Sequence, residues 1–343
     1  MTKTLAVAMA LSMACAMRLA EGMEPAEFFS THEPLIMDIT ANMRGFCRNP
    51  DGADCPDVPA VIAYRDGDDR EQRVEVGLRI RGRWEADTTD CTLPSLFLVF
   101  DPAASAGTVF AGQAALPLTT HCRAGANYEQ YLLTEYVAHR IYNLLAEKSL
   151  QVRLAHVTYH DASGRSEPVR RYGFFTEHFQ SLADRFAAEV WSPEGNFDYE
   201  SADTSEQVVV SLFQYMIGNT DWSLIAGHNI MYLRGSDWVT PVPFDLDYSG
   251  LVNARYAGPP AGLGLNSVRQ RLYRGICRPD TDWPGIFAHF TRRRPDILQL
   301  ISDTPGLDRT YSRRAMRYLE SFFEIIESPA RRERSIVSAC RRP

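Results

Sequence analysis

The hydrophobic period of this chain changes partway along its length, and that change restricts the fold it can adopt. Residues 59–66 (PAVIAYRD), 73–84 (RVEVGLRIRGRW) and 95–100 (SLFLVF) alternate or run apolar between Asp, Gly and Pro turns. This is the pattern of strands with a buried face. Thr108–Phe110 and Ala115–Thr119 are shorter strand candidates, so the first third is expected to be mostly antiparallel sheet. From Tyr128 to Leu145 the apolar residues fall at Leu132, Leu133, Tyr136, Val137, Ile141, Leu144 and Leu145, the spacing of one buried helical face. A hairpin over 152–159 and 170–176 follows, turning at Asp161–Gly164. A helix is then expected near 178–190 and a polar loop over 192–205. Glu206–Ile217 reads as a second apolar helix stopped by Gly218. Strands at 230–233 and 238–244 flank the turn at Arg234–Asp237, and the tail from Trp283 is helical, with a strongly amphipathic stretch at 311–327. The fold class expected is α+β, with a β-rich front and a helical back.

Charge and cysteine content narrow the function classes. With 36 basic and 43 acidic residues the formal charge is −7, which argues against a general nucleic-acid binder. Lys3 and Lys148 are the only lysines, so a mechanism needing a particular lysine in the body of the chain has Lys148 alone. Fifteen arginines against nine acids lie between Gln270 and Pro343, either as a solvated face or as a docking surface for an acidic partner. Within residues 1–20, Lys3 precedes an apolar run from Leu5 to Met17, and Ala14-Cys15-Ala16 supplies an A-x-A cleavage pattern. These features read as an export signal, which places the protein as secreted or periplasmic. No later segment has the ~18 unbroken apolar residues of a membrane span, so no transmembrane segment is expected in the mature form. Six cysteines remain after the leader, and an even number in an exported chain points to disulfides. The expected pairs are Cys47–Cys55, Cys91–Cys122 and Cys277–Cys340. Structural zinc is disfavoured because no C-x-x-C pair or His/Cys cluster is present.

The stretch 213–250 carries the chemistry. Asn219 and Asp221 sit in a loop just after a buried helix, Asn229 opens the next strand, and Asp245 and Asp247 close the hairpin before Gly250. A hairpin returns its second strand beside its first, so Asn229 and Asp245 are expected near each other at its open end. Carboxylates and a carboxamide at one loop mouth are hard oxygen ligands suited to Mg2+ or Mn2+ with a polyphosphate. A carboxylate left off the metal could orient a hydroxyl and take its proton. Each residue also has an ordinary reading: Asp221 and Asn229 as turn residues, Asp245 and Asp247 as solvated acids, Glu135 as a helix-surface acid or a partner of Arg140. His121, His156, His160 and His228 show no metal spacing, no G-x-S-x-G is present, and Arg292-Arg-Arg294 reads as a solvated turn.

The order of pieces resembles the CotH (spore-coat protein H) family of secreted atypical kinases. The residues that carry the resemblance are Arg81-Gly82, Glu135 in the first helix, Gly173-Phe-Phe-Thr-Glu177, Asp221, Asn229 and Phe244-Asp-Leu-Asp-Tyr-Ser-Gly250, within roughly 75–255. Ordinary protein-kinase motifs are missing: there is no His-Arg-Asp, no Asp-Phe-Gly and no G-x-G-x-x-G, and Asn229 follows Asp221 by eight residues rather than five. The resemblance implies a kinase-like bilobal fold, with a β-rich N-lobe over 21–125 and a C-lobe over 126–343 carrying the catalytic loop. It implies Asp221 as catalytic base, Asn229, Asp245 and Asp247 as metal ligands, and Arg81 and Glu135 as the ATP-contacting cation and its helix partner. The activity implied is Mg2+- or Mn2+-dependent transfer of the ATP γ-phosphoryl to a hydroxyl of a protein substrate. Phe97 and Leu98 stand where a basic strand residue would be expected, and Pro117 in the next strand, so Arg81 or Arg83 would have to substitute. A catalytically inactive, pseudokinase-type binding or structural protein is therefore the alternative. A metal-dependent phosphoesterase is a third reading.

Overall fold

The computed structural model describes residues 28–43, 45–46, 56–81, 91–193, 195 and 197–342. The expected leader and the Cys47–Cys55 pair lie outside the described residues, as do Gly82 and Arg83. In chain order the strands are β1 (Leu35–Ala41), β2 (Val58–Arg65), β3 (Glu71–Ile80), β4 (Leu96–Phe100), β5 (Ala115–Thr119), β6 (Val152–Asp161), β7 (Val169–Thr176), β8 (Glu189–Trp191), β9 (Ile230–Arg234) and β10 (Val239–Pro243). The helices are α1 (Pro102–Ser105), α2 (Ala126–Leu145), α3 (Phe179–Arg185), α4 (Thr204–Ile217), α5 (Trp283–Asp303), α6 (Arg309–Glu327) and α7 (Pro329–Arg332).

A sheet-rich N-terminal region and a helical C-terminal region are both present, as the two hydrophobic periods imply. The front sheet goes further and closes into a barrel, in the order β1-β2-β3-β4-β5-β7-β6. Closure depends on β1, which the strand assignment from sequence omitted. Its alternation buries Leu35, Met37, Ile39 and Ala41, and it pairs antiparallel with β2 and parallel with β6. The parallel seam departs from the antiparallel expectation. It is possible because β6 arrives after a long excursion through α2, as a parallel partner requires. Met37, Ile62, Val74, Leu78, Leu98, Leu118 and Phe175 fill the interior.

Thr108–Phe110 is not a strand. Turn bonds from Thr108 N–H to Ser105 and from Ala111 N–H to Thr108 fold it between Gly107 and Gly112, both at positive φ. The fold drives Phe110 into the barrel, where its ring stacks on Phe28 at 5.6 Å and on Phe100 at 5.0 Å. The helix expected over 178–190 ends at Arg185, and its last residues form β8 beside β9.

Helix α2 carries more than one buried face. Every residue from Tyr131 to Tyr142 is buried, including Glu135, His139 and Arg140. One side packs on Val152, Leu154 and Phe174 of the barrel, and the other joins the core of α4, α5 and α6 around Phe213, Phe290, Leu319 and Phe322. Arg292–Arg294 lies within α5 rather than in a turn, and Arg294 bridges Glu320 and Glu327 of α6. Cys91 pairs with Cys122 and Cys277 with Cys340, with Cα atoms 4.6 and 5.0 Å apart. The second bridge is continued by Cys277 N–H to Arg341 O at 2.9 Å and Arg341 N–H to Gly275 O at 2.8 Å, which fixes the tail to the 274–278 segment. No described helix is long and apolar enough to cross a membrane.

His121, next to the Cys91–Cys122 bridge, is buried, and its Nδ1 has no partner among the described residues. Burial, and then the charge of Arg171, lower its pKa to about 4. Below its ordinary value near 6.5 the unfolded chain takes up a proton that the folded chain resists, so His121 removes stability as pH falls from about 6.5 to about 4 and contributes no pH dependence above that window. We expect the stability difference between wild type and His121→Gln to shift by about 2 kcal/mol in favour of the variant between pH 7 and pH 5. Urea unfolding of both proteins at the two pH values measures it, and a pH-independent difference would refute it.

Candidate active site

The site begins where α4 stops. Asp203 caps the N-terminus of this helix by accepting from Glu206 N–H at 3.0 Å, and Gly218 ends it in the left-handed region at φ 66°. Such a C-terminal residue is favourable only for glycine. The chain then turns at once: the buried Asn219 accepts Asp221 N–H on its side-chain oxygen at 2.9 Å. A tight turn pairs Ser223 with His228 through backbone bonds of 2.9 and 3.2 Å, helped by Gly227 at φ 62°. That turn takes up the extra residues between Asp221 and Asn229. Asn229 Nδ2 therefore reaches Asp221 O at 2.8 Å and Asp221 Oδ2 at 3.3 Å, while His228 Nε2 lies 3.0 Å from Asp221 Oδ1.

Asn229 and Asp245 both lie at the mouth of the β9–β10 hairpin, where Phe244, opposite Asn229, donates its N–H to Asn229 O at 3.2 Å. Both hold positive φ, 53° and 58°. Asn and Asp tolerate this region better than other side-chain-bearing residues, at a cost of order 1 kcal/mol each. The strain twists the backbone so that Leu246 enters the C-terminal core while its flanking acids stay at the site.

The carboxylates share one environment. Burial, then the neighbouring charge of Asp245 and a hydrogen bond with it, push Asp247 up to about 7; the Tyr256 hydroxyl donates to Asp247 and opposes the shift, and Asp221 adds to it. Glu135 is driven well above the usual carboxylate range by burial and then by Asp247 and Asp245, against Arg81 and a hydrogen bond from Leu246 N–H. His139, one turn along α2, has its Nε2 4.0 Å from Glu135 Oε1 and is held neutral, with its pKa lowered to about 3 by burial and Arg81. Arg81, Glu135, Asp221, Asn229, Asp245 and Asp247 thus lie in one neighbourhood, brought there by β3, α2, the α4–β9 loop and the β10 exit.

A cavity of about 300 Å3 adjoins them, between the barrel and the C-terminal region. Phe97 and Pro117, paired across β4 and β5, line it with Phe179 and Phe244, and Arg81, Glu135, His139 and Asp245 supply its charged edge. At its other end Glu177 receives both arms of Arg185 at 2.8 and 2.9 Å and accepts Gln151 N–H at 3.1 Å. Lys148 is not part of this cavity; its ammonium pairs with Glu206 at 2.5 Å.

Among the described residues no three His, Cys, Asp or Glu side chains stand together as a ready metal set. The donor chemistry nearby is all oxygen: Asp247 lies close enough to Asp245 to feel its charge, and Asn229 stands at the mouth of the same hairpin. Oxygen donors of this kind are of the type that suits Mg2+ or Mn2+.

Sequence reasoning missed His228, Tyr256, His139 and Arg274. Adjacency to Asn229 and the i,i+4 spacing from Glu135 were the available signals for the two histidines. Tyr256 and Arg274, which donates to Thr220 O beside Asp221, come from irregular segments with no local signal.

No family model matches the chain, so the CotH resemblance stands on the quoted residues alone. No curated protein matches it. Among solved structures, the Helicobacter pylori proinflammatory kinase CtkA aligns over 82% of this chain and 92% of that one, with 11% identity and a TM-score of 0.35.

Gly218 sets the entry to the Asp221 loop, and the Tyr318 hydroxyl occupies the space where a Cβ would go. Gly218→Ala should cost about 2–4 kcal/mol, from left-handed strain plus overpacking. Tyr318→Phe in the same chain should recover the overpacking part only. Urea unfolding of the single and double variants tests this, and a neutral Gly218→Ala would contradict it.

Proposed function

We propose that this protein is an exported, Mg2+- or Mn2+-dependent phosphotransferase that moves the γ-phosphoryl of ATP to a protein hydroxyl. One observation supports the reading above the rest: Arg81, Glu135 and Asp245, from three separate parts of the chain, line a single cleft with apolar walls, and Asp247 and Asp221 are close enough to act electrostatically on that set. Asn229, Asp245 and Asp247 would hold the cation, which supplies charge neutralisation for the polyphosphate. Phe97, Pro117 and Phe244 offer apolar surface to a nucleobase. Arg81 offers a guanidinium to phosphate oxygens, and Glu135 is its counter-charge.

In this reading Asp221 orients the acceptor. Its Oδ2 meets the Asn229 carboxamide and its Oδ1 meets His228, so the carboxylate plane is fixed from both sides. It can accept the hydroxyl proton as the new P–O bond forms, and His228, at 57% side-chain exposure, can pass that proton to solvent. Positioning and electrostatics account for most of the catalysis expected of such a site. Two cysteine pairs fit an oxidising compartment, secreted or periplasmic.

A second reading keeps the scaffold without the reaction. Phe97 and Pro117 face the cleft from the strands on which a kinase-type site would carry its cation, which favours a pseudokinase-type binding protein. Thermal-shift titration with ATP, with and without Mg2+ or Mn2+, followed by transfer assays, separates the two. We expect cation-dependent stabilisation of about 2.7 kcal/mol at a hundredfold excess over Kd, abolished in Asp245→Asn and Asp247→Asn. Asp221→Ala should keep the stabilisation and lower transfer by about 10²–10⁴-fold. A flat response at millimolar nucleotide would reject the phosphotransferase, and phosphate release without an acceptor would indicate hydrolysis instead.

A further inference from the structure

A second, larger cavity of about 490 Å3 lies between the start of α2, the 251–255 segment and the start of α6. Three arginines line it, Arg255, Arg269 and Arg314, against one acid, Asp308. Asp308 is committed to the α6 N-terminus, where it accepts Thr310 N–H at 2.6 Å. Arg255 makes no hydrogen bond or ion pair to any described residue, and Arg314 only lies over the Tyr311 ring at 5.6 Å. Arg269 gives one bond to Gly250 O at 3.2 Å and rests on the Tyr318 ring at 4.5 Å. By contrast Arg271, close by in sequence, is consumed by Met216 O, Tyr318 O and Ser321. Three guanidinium groups line one cavity and none is paired with a carboxylate among the described residues, so donors remain for an outside anion.

The cavity is joined to the carboxylate site by tyrosines. Tyr131, in its wall, has its ring 6.1 Å from Tyr256, which donates to Asp247. Tyr248 and Tyr128 pack on the same ring at 5.7 and 6.2 Å, and Tyr248 and Tyr256 are 36% and 41% exposed. An extended peptide lying on these rings would present one residue to Asp221 and another to the arginines. The sign of the charges makes this arrangement selective. A site built of acids offers nothing to an acidic chain, and the arginine cavity would hold its acids away from them.

We propose that the Arg255/Arg269/Arg314 cavity is a peptide-docking subsite that recognises an oxyanion, either an Asp/Glu carboxylate or a phosphorylated residue, flanking the acceptor hydroxyl. The acceptor role rests on the phosphotransferase reading; the docking itself does not. Guanidinium forks match both anions in geometry, so the source is decided by experiment.

Fluorescence anisotropy with three labelled serine peptides tests the proposal on the full disulfide-bonded protein: one with flanking glutamates, one with glutamines in their place, and one with phosphoserine in their place. The expected result is that the glutamate or the phosphoserine peptide binds at least about tenfold tighter than the glutamine peptide, and that the tighter of the two names the source. Arg255→Gln/Arg314→Gln should abolish this preference while leaving the ATP and Mg2+ thermal shift unchanged. Those two side chains are exposed and unpaired, so the variant is expected to fold. Asp245→Asn should do the converse, losing the nucleotide response and keeping peptide selectivity, so failure of the phosphotransferase reading is separable from failure of the subsite. Equal affinity for all three peptides, or an acidic preference that survives the double arginine variant, overturns the proposal.

Discussion

Glu135 is a carboxylate placed where a carboxylate is costly. It sits on a helix buried on all sides, with two more acids nearby that join burial in driving it toward its neutral form, and only the Leu246 N–H and the Arg81 guanidinium oppose them. A buried carboxyl group still needs its polar atoms bonded, so each of these neighbours must stay in place. One belongs to the end of a barrel strand and the other to the exit of the β9–β10 hairpin. The need to compensate one side chain therefore fixes the barrel, the central helix and the hairpin relative to one another. It also fixes Asp245 and Asp247, because they flank the residue whose N–H is used.

The hairpin mouth shows the same economy at the level of backbone. Asn229 and Asp245 both adopt left-handed conformations that most residues avoid, and they do so at the same hairpin mouth. Strain of this kind persists only where surrounding structure enforces it. Here the enforcement is Leu246 in the core, Phe244 bonded to Asn229 O, and the Asn229 carboxamide bonded to Asp221. The oxygens at the site are thus held by groups that do not themselves face it. The Cys277–Cys340 bridge adds a further clamp, since the segment it fixes carries Arg274, which donates to Thr220 O one residue before Asp221.

The parts of this architecture legible in sequence were those set by neighbours in the chain. Period-two and period-3.6 runs gave most strands and helices, and Gly218 marked the end of α4. The order Arg81, Glu135, Asp221, Asn229, Asp245, Asp247 could be read because all but Glu135 sit at or just beyond element ends that the pattern itself reveals, and Glu135 lies within a helix whose apolar period is plain. What could not be read depends on distant partners. β1 alternates like any strand, but its parallel partner β6 lies over a hundred residues on, so closure of the barrel had no local signature. Phe110 looked like strand because it is apolar and β-prone; only the barrel end it fills explains the turn. Tyr256 and the cavity arginines lie in or beside irregular chain, where the residues that give them meaning come from α2 and α6. The gap of eight between Asp221 and Asn229 looked like a departure from kinase spacing, and the Ser223–His228 turn shows how the chain absorbs it.

The near-absence of lysine has a physical consequence at the cleft. Lys148 is held by Glu206 and stands over the Trp238 ring, so the cleft's cation is Arg81. Burial readily strips the proton from an ammonium, whereas a guanidinium stays charged across the physiological range. Beside His139 and Glu135 that difference matters. Burial, with Arg81 beside it, keeps His139 uncharged, and Arg81 opposes the burial that drives Glu135 toward its neutral form, whereas a lysine there would add a titrating group to an already crowded set. The same property suits the arginine cavity, where Arg255, Arg269 and Arg314 have no carboxylate partner among the described residues. Arginine keeps its charge with or without such a partner, and its planar fork is already shaped for two oxygens of an entering anion, which a lysine's single ammonium is not.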